Sequence, residues 1–384
     1  MEAHVVDISQ RKTDHIDLCA TGDVGFKAKT NLFEEVELVH DAVPELSLDD
    51  LDPSLTLFGK KLSAPIIIAA MTGGNEKARQ INLELARIAD EEGYGFGLGS
   101  QRAMLDASAG RDPTYDVRAV APNVLLLGNI GAVQARASGK AALEDLVGRV
   151  RADALCVHLN PAMEIVQPGG DRDFGGIVET LAELADSLSV PVIAKETGCG
   201  IGPRAARKIA KAGVRHLDVS GAGGTSWVAV EMMRAQGEAK HLGTMLRDWG
   251  VPTAASVVVA AATKPRFQTI IATGGVKNGI DIAKAIVLGA HAGGIARPVL
   301  QALTEGGPQG ARDFLARVKS EITSCMLLCG ARTLSELCGA DCIVGPGLAR
   351  WAELANRGGR SNSLRSSKDR ARAKDGARSK KKRV

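Results

Sequence analysis

Aromatic side chains are scarce in this chain, at 3% of 384 residues, so its core cannot be built on large rings. Hydrophobic residues still reach 45%, with 44 glycines. That is the palette of parallel strands buried on both faces, and it favours an α/β fold. Long apolar runs are missing: none approaches the roughly 20 residues that a transmembrane helix needs. No signal-peptide pattern opens the chain, and the seven cysteines are odd in number with no regular framework. Both features argue against a disulfide scaffold and predict reduced thiols in the cytoplasm. No G-x-G-x-x-G opens a helix after a strand, so the dinucleotide fingerprint is lacking as well.

The net charge of +4 is unevenly spread. From Arg357 onward twelve Lys/Arg face two Asp, so the remainder of the chain carries about −6. A segment so rich in like charge and poor in apolar residues cannot offset the entropy of folding, and residues 356–384 are expected to be a disordered basic tail. Its plainest use is to solubilise. The alternative is contact with an anionic partner.

From Pro65 the chain alternates β-rich runs with helical periodicity. Eight runs are legible: "PIIIAAM" (65–71), "YGFGLGS" (94–100), "NVLLLGN" (123–129), "ALCVHLN" (154–160), "PVIAKE" (191–196), "RHLDVSG" (215–221), "QTIIATG" (268–274) and "AGGIARP" (292–298). Between them lie amphipathic stretches such as "NEKARQINLELARIADEEG", which begins at an Asn cap and stops at a glycine. Eight strand–helix units predict a (β/α)8 TIM barrel over 63–355, with residues 1–62 as an N-terminal extension over its mouth. An open doubly wound sheet would have fewer strands and one dominant phosphate loop near its start. The stretch 226–264 is expected to pack outside the barrel or form a subunit contact. Cys325 and Cys329, then Cys338 and Cys342, stand at i,i+4 spacing, which predicts core packing on helical faces rather than zinc binding.

Every run ends in a polar or glycine-rich cluster: "MTGG", "GSQR", "GN", "HLNPAME", "KE", "SGAGGTSW", "TGGV" and "ARP". In a barrel these ends form the active-site rim. Glycine doublets after the sixth and seventh runs suit a phosphate held on backbone N–H groups, with Ser220 and Thr225 adding hydroxyls. Lys195 would be a costly buried cation unless paired, either with Glu196 or with an anionic ligand such as reduced flavin. Met71, Thr72, Ser100 and Asn129 offer backbone and amide groups for the flavin ring. With no dinucleotide fingerprint, the reading is FMN.

The motifs "RKTDHI", "LFGKKLSAPIIIAAMTGG", "GLGSQR", "HLNPAME", "QPGGD", "KETGCG", "SGAGGTSW" and "RDWGVPTAAS" together resemble type 2 isopentenyl diphosphate isomerase, in order over about 8 to 350. The resemblance implies a TIM barrel using reduced FMN, with NADPH as reductant, Mg²⁺ beside the diphosphate, a prenyl diphosphate substrate and a homotetramer or homo-octamer. It also implies that Arg11 and Lys12 bind the diphosphate, and that Ser100, Arg102, His158 and Asn160 complete the substrate site. His158, Asn160, position 163 and Lys195 would carry catalysis, and Glu164 would hold the metal. FMN would lie against Ala70, Met71, Thr72, Gly73, Ser100, Asn129, Lys195, Ser220, Thr225, Gly274, Gly275, Val276, Ala296 and Arg297.

One residue departs from that pattern. The family has glutamine before the metal-binding glutamate, whereas this chain has Met163, which keeps the volume and loses the hydrogen bonding. The expectation is therefore a slow isomerase of isopentenyl diphosphate, or an isomerase of a more apolar prenyl diphosphate. A 2-hydroxy-acid oxidase on the same scaffold is a further alternative, although neither "SGAGGTSW" nor "TGGV", the clusters at the ends of the sixth and seventh runs, carries a histidine base and His216 should face the opposite end. A second departure is Gly169, where the family more often has glutamate, and a mild third is Asp14 in place of the usual glutamate.

Overall fold

The computed structural model describes residues 8–105 and 113–357, with side chains described from Thr13 onward. The side chains of Arg11 and Lys12, and the basic tail after Arg357, lie outside the described residues. The chain begins with helix Ile8–Thr21, strand β1 (Val36–Leu38) and the pair β2 (Leu55–Leu57) and β3 (Lys60–Leu62). Eight strands follow: β4 (Ile66–Ile68), β5 (Gly95–Gly97), β6 (Leu125–Gly131), β7 (Ala154–Leu159), β8 (Val192–Glu196), β9 (His216–Asp218), β10 (Thr269–Thr273) and β11 (Ala292–Ile295). Each overlaps one of the eight runs read from the sequence. All pair in parallel with their chain neighbours, and β11 pairs with β4 to close a (β/α)8 barrel.

Local chemistry sets the strand and helix limits. Asn75 accepts from the Ala78 amide at 2.7 Å to start helix Glu76–Glu92, and Gly93, at φ 72°, ends it in the left-handed region. Asn278 caps Gly279–Val287 on the Asp281 amide at 2.8 Å, and Ser226 caps Trp227–Arg234 on the Ala229 amide at 3.2 Å. The outward faces of the strands and the inner faces of these helices share one apolar layer that includes Leu85, Ile88, Leu126, Val157, Leu217 and Ile282.

Inside the barrel the side chains alternate with period two, and their character changes with height. Ile67, Leu127, Cys156, Ile193 and Ile271 form an apolar lower layer. One step higher on the same strands stand Asn129, His158, Lys195 and Thr273. The hairpin of β2 and β3 closes the lower end, packing Leu57 and Leu62 on that layer. Its turn is Phe58 and Gly59, both at positive φ (48° and 78°), the two-residue geometry that matches strand twist. The Phe58 ring meets His216 edge-on at 5.0 Å, so His216 does face the end away from the rim.

The stretch after β9 lies outside the strand barrel as three helices, of which Trp227–Arg234 and Gly237–Leu246 pair with each other, while Thr253–Ala262 is the buried return helix to β10. One expectation needs correction. Cys338 and Cys342 do not share a helix face: Cys338 ends helix Leu334–Cys338 and is exposed, while Cys342 opens strand β12 (Cys342–Val344). Gly339 at the C-cap breaks the periodicity between them. Among the described residues no group of three or more His, Cys, Asp or Glu could hold a metal. Strand β12 pairs antiparallel with β1, Val36 opposite Val344.

Candidate active site

The described site residues gather at the C-terminal rim. Ala70, Met71, Thr72 and Gly73 follow β4, and Ser100 and Arg102 follow β5. Asn129 lies in β6, His158 in β7, and Asn160, Met163 and Glu164 just beyond it. Lys195 lies in β8. Ser220 and Thr225 follow β9, Gly274, Gly275 and Val276 follow β10, and Ala296 and Arg297 follow β11. All of them line one cavity of about 910 Å³.

Lys195 is 6% exposed, and its Nζ lies 2.9 Å from Oδ2 of Asp218, itself 5% exposed. Its partner is thus Asp218 on the neighbouring strand, not Glu196 on its own. Alternation turns Glu196 outward, where Oε2 accepts the amides of Thr197, Gly198, Cys199 and Gly200 at 2.6, 2.7, 2.5 and 3.1 Å. Burial pushes the Glu196 carboxyl up to about 7, with those four amides pulling the other way. Glu196 therefore shapes the loop whose Thr197 and Gly198 line the cavity.

His158 opens onto the cavity yet sits deep in the chain. Burial first, then the Lys195 cation, pushes its imidazole down to about 4, so it is neutral at pH 7. Its Nδ1 lies 2.8 Å from Asn129 Oδ1. An amide oxygen can only accept, so Nδ1 carries the proton and Nε2 keeps a lone pair. Asn129 is in turn held by its own amide, which donates to Gln101 Oε1 at 2.8 Å.

Asn160 donates to Glu164 Oε1 at 2.8 Å, and the Asp171 amide donates to Oε2 at 2.8 Å. Glu164 is 6% exposed, and each oxygen keeps a lone pair. It suits a magnesium that draws its remaining ligands from diphosphate and water. The Met163 sulfur sits 3.9 Å from Asn160 Nδ2, so the wall between Asn160 and Glu164 is a thioether.

The far side of the rim has the backbone chemistry that could hold a flavin phosphate. A Cβ on Gly224 would stand 2.3 Å from the Gly275 amide nitrogen, and one on Gly274 2.2 Å from the Gly221 carbonyl. The two glycine loops therefore touch backbone to backbone, and Gly223, Gly274 and Gly275 hold positive φ of 116°, 104° and 71°. Beside them Thr273 Oγ1, in the cavity wall, is the one buried side-chain polar atom without a partner among the described residues. A glycine cradle with an unsatisfied hydroxyl is what a phosphorylated cofactor would complete.

The sequence reading missed several wall residues. His15, in the helix Ile8–Thr21, lines the cavity and its Nε2 lies 2.8 Å from the fully buried Glu231. Glu231 also pairs with Arg234 at 3.0 Å, and Arg234 with Asp14 at 3.1 Å. Helical spacing carried a signal here, because His15 comes four residues after Arg11 in the sequence. Trp227, Gln134, Gln167, Lys277 and Gln301 also line the cavity. Gln134 donates to Asp171 at 2.7 Å. Arg297 donates Nε to the Cys19 carbonyl at 2.8 Å and Nη2 to that of Gly22 at 2.7 Å, holding the end of the first helix at the rim.

The sequence model of the FMN-dependent dehydrogenase family matches residues 6–110 and 164–344, the class of barrel that this fold and rim define. The fold also matches solved structures such as a mandelate oxidase variant with a monooxide FMN adduct, at a TM-score of 0.57 and 18% identity over 86% of this chain and 95% of that one. Closer in sequence are the isopentenyl-diphosphate delta-isomerases. That of Methanothermobacter thermautotrophicus is 43% identical over 90% of this chain and 95% of its own length. That of Halobacterium salinarum is 42% identical over 85% and 91%, and that of Nostoc sp. 41% over 85% and 93%. The chain belongs to the isopentenyl-diphosphate delta-isomerase family.

Proposed function

We propose that this protein is an FMN-dependent isomerase that interconverts isopentenyl and dimethylallyl diphosphate, with NADPH reducing the flavin and Mg²⁺ accompanying the diphosphate. The observation that carries the reading is the convergence of all eight barrel strands on one cavity of about 910 Å³, large enough for a cofactor and a substrate together. Bound and reduced, FMN supplies an electron-rich ring that can exchange a proton beside the alkene.

The chain's own residues bind, orient and exclude water. Lys195 gives a fixed cation in the floor, and the Gly223–Gly224 and Gly274–Gly275 loops with Thr273, Ser220 and Thr225 hold the phosphate. Glu164, oriented by Asn160 and the Asp171 amide, takes the magnesium. Arg102, exposed at the mouth, meets the diphosphate together with Arg11 and Lys12. His158 Nε2 accepts a proton or hydrogen bond from the substrate side. The helix Ile8–Thr21 covers the mouth and keeps water from a carbocation-like species.

Isomerisation adds a proton at one carbon and removes one from another, and a positioned acid or base contributes about 10² to 10⁴ in rate. Met163 can do neither. Turnover is therefore expected to be slow, and the apolar wall would also suit a larger prenyl diphosphate. The oxidase reading is weaker: among the described residues the cavity's histidines are His15 and His158, and Arg297 is committed to two carbonyls. The family relationship further suggests a cytoplasmic homotetramer or homo-octamer, checked by light scattering, with the basic tail free to meet an anionic partner.

The test is anaerobic incubation with FMN, NADPH, Mg²⁺ and isopentenyl diphosphate in D₂O. Deuterated dimethylallyl diphosphate is expected, and Met163→Gln should raise its rate about tenfold or more. If neither protein makes product, this substrate assignment is wrong.

A further inference from the structure

Asp218 is a buried carboxylate for which the barrel's stability gives no reason. Positions inside barrels are normally filled by Val, Ile and Leu, and a buried ion pair is commonly no more stable than apolar residues of the same volume. The register makes its position informative. His158 stands opposite Lys195, and Lys195 opposite Asp218, in one row across β7, β8 and β9. Lys195 lines the main cavity and also a small void beneath it, and that void is lined by Asp218 and Cys156 but not by His158. The carboxylate thus lies behind the ammonium, on the side away from the mouth.

Both of its oxygens are used. Oδ2 holds Lys195 Nζ at 2.9 Å, and Oδ1 accepts the Ser220 amide at 3.1 Å. Ser220 has φ 33°, in the region that side chains other than glycine seldom adopt. That turn sends the chain into Gly221–Thr225, whose glycines meet the β10 loop. Two parts of the rim that look separate, a cation in the floor and a glycine cradle in the wall, hang on one side chain. Cys156, the other polar group facing this row from below, is pushed up to about 12, chiefly by burial. It stays a neutral thiol and leaves Asp218 as the only anion in the row.

We propose that Asp218 is the positioning residue of the cofactor site, fixing the Lys195 ammonium against the cavity floor and the Ser220 turn at the head of the phosphate loop as one preorganised unit. The proposal rests on the FMN reading and adds to it a residue that need not touch the cofactor. Lys195 with Asp218 behind it presents an oriented dipole rather than a bare charge. An anionic ring gains from the near cation while the pair as a whole stays neutral.

A double-mutant cycle tests this with readouts other than turnover. FMN affinity is measured by fluorescence quenching in the flavin-free proteins, and the oxidation–reduction equilibrium of bound FMN by anaerobic titration. The proteins are wild type, Asp218→Asn, Lys195→Met and the double variant. Asp218→Asn alone should weaken FMN binding at least tenfold and shift the redox equilibrium towards reduced flavin by about tenfold, roughly 30 mV for a two-electron couple. In the Lys195→Met background Asp218 loses the cation it pairs with, and a buried carboxylate without a partner is held neutral, so the redox shift should vanish, while the loss of affinity caused through Ser220 should persist. Asp218→Glu should recover part of both.

Equal redox shifts in the two backgrounds would overturn the proposal, and so would a variant whose only change is a lower melting temperature. A wild-type protein that binds no FMN would fail the functional reading itself, and the proposal with it. Normal FMN binding with no coupling would fail the proposal alone.

Discussion

Two groups of opposite character at or beside the cavity titrate over the same stretch of pH. The His158 imidazole is held at about 4, below its ordinary 6.5, by burial and Lys195. The unfolded chain then binds the proton more readily, so this residue's contribution to stability is full above pH 6.5 and is lost as the pH falls through 4. Glu196 is raised from 4.5 to about 7 by burial. The folded chain is the better proton binder there, so its contribution is full below pH 4.5 and is lost as the pH rises through 7. Between pH 4.5 and 6.5 the two slopes oppose, each at most about 1.4 kcal/mol per pH unit. His158→Gln should leave stability falling with rising pH, and Glu196→Gln should leave it rising. Urea midpoints measured across that range check both, and identical slopes in the two variants would defeat the account. Met163→Gln is the companion test on activity at this scale, because it restores a hydrogen-bonding side chain where the sulfur now faces Asn160.

The loops after β9 and β10 make a prediction about whole elements. Their glycines meet backbone to backbone, so a methyl group on Gly224 has no flexible neighbour to displace. Gly224→Ala should lower FMN affinity at least 100-fold, about 3 kcal/mol or more. Gly148→Ala is the control: nothing lies within 4 Å of its new methyl, and in the helix Ala132–Val150 it should stabilise by about 0.5–1 kcal/mol. Equal flavin affinity in the two variants would show that the cradle tolerates side chains. The elements were largely legible beforehand, since short continuous apolar runs ending in glycine or polar clusters and separated by helical periodicity leave few alternatives to eight parallel strands. The glycine doublets were legible for the same reason. The partner of Lys195 was not, because an Asp in the sixth run becomes its neighbour only through the lateral register of two strands. Nor were Cys338 and Cys342, whose i,i+4 spacing suggested a helix that Gly339 interrupts.

At the scale of the whole molecule the two ends of the barrel's chain are tied to each other. Strand β1 pairs with β12, and Glu35 receives the Leu348 amide at 2.6 Å at the start of helix Pro346–Asn356. Its carboxylate caps that helix from more than three hundred residues away and favours the positive end of the helix dipole. Glu35→Ala should cost about 1–2 kcal/mol, read as a lower urea midpoint, while isomerase activity in the folded protein stays unchanged. An unaltered midpoint would mean that the cap contributes nothing. No local pattern announces this pairing, because three-residue strands carry little periodicity and their register is set only once the barrel between them has closed.

The hairpin of β2 and β3 makes the barrel a flask rather than a tube. With Leu57 and Leu62 as its stopper, flavin, substrate and product all share one neck, beside which the helix bearing His15 is docked. Traffic through a single neck would be a queue: a cofactor seated deeper would have to enter first, and each product would leave by the route its successor needs. Deleting residues 1–22 should widen that neck, so flavin ought to wash out faster than from the intact chain. If it does not, the helix is no gatekeeper and exchange is governed deeper in the vessel.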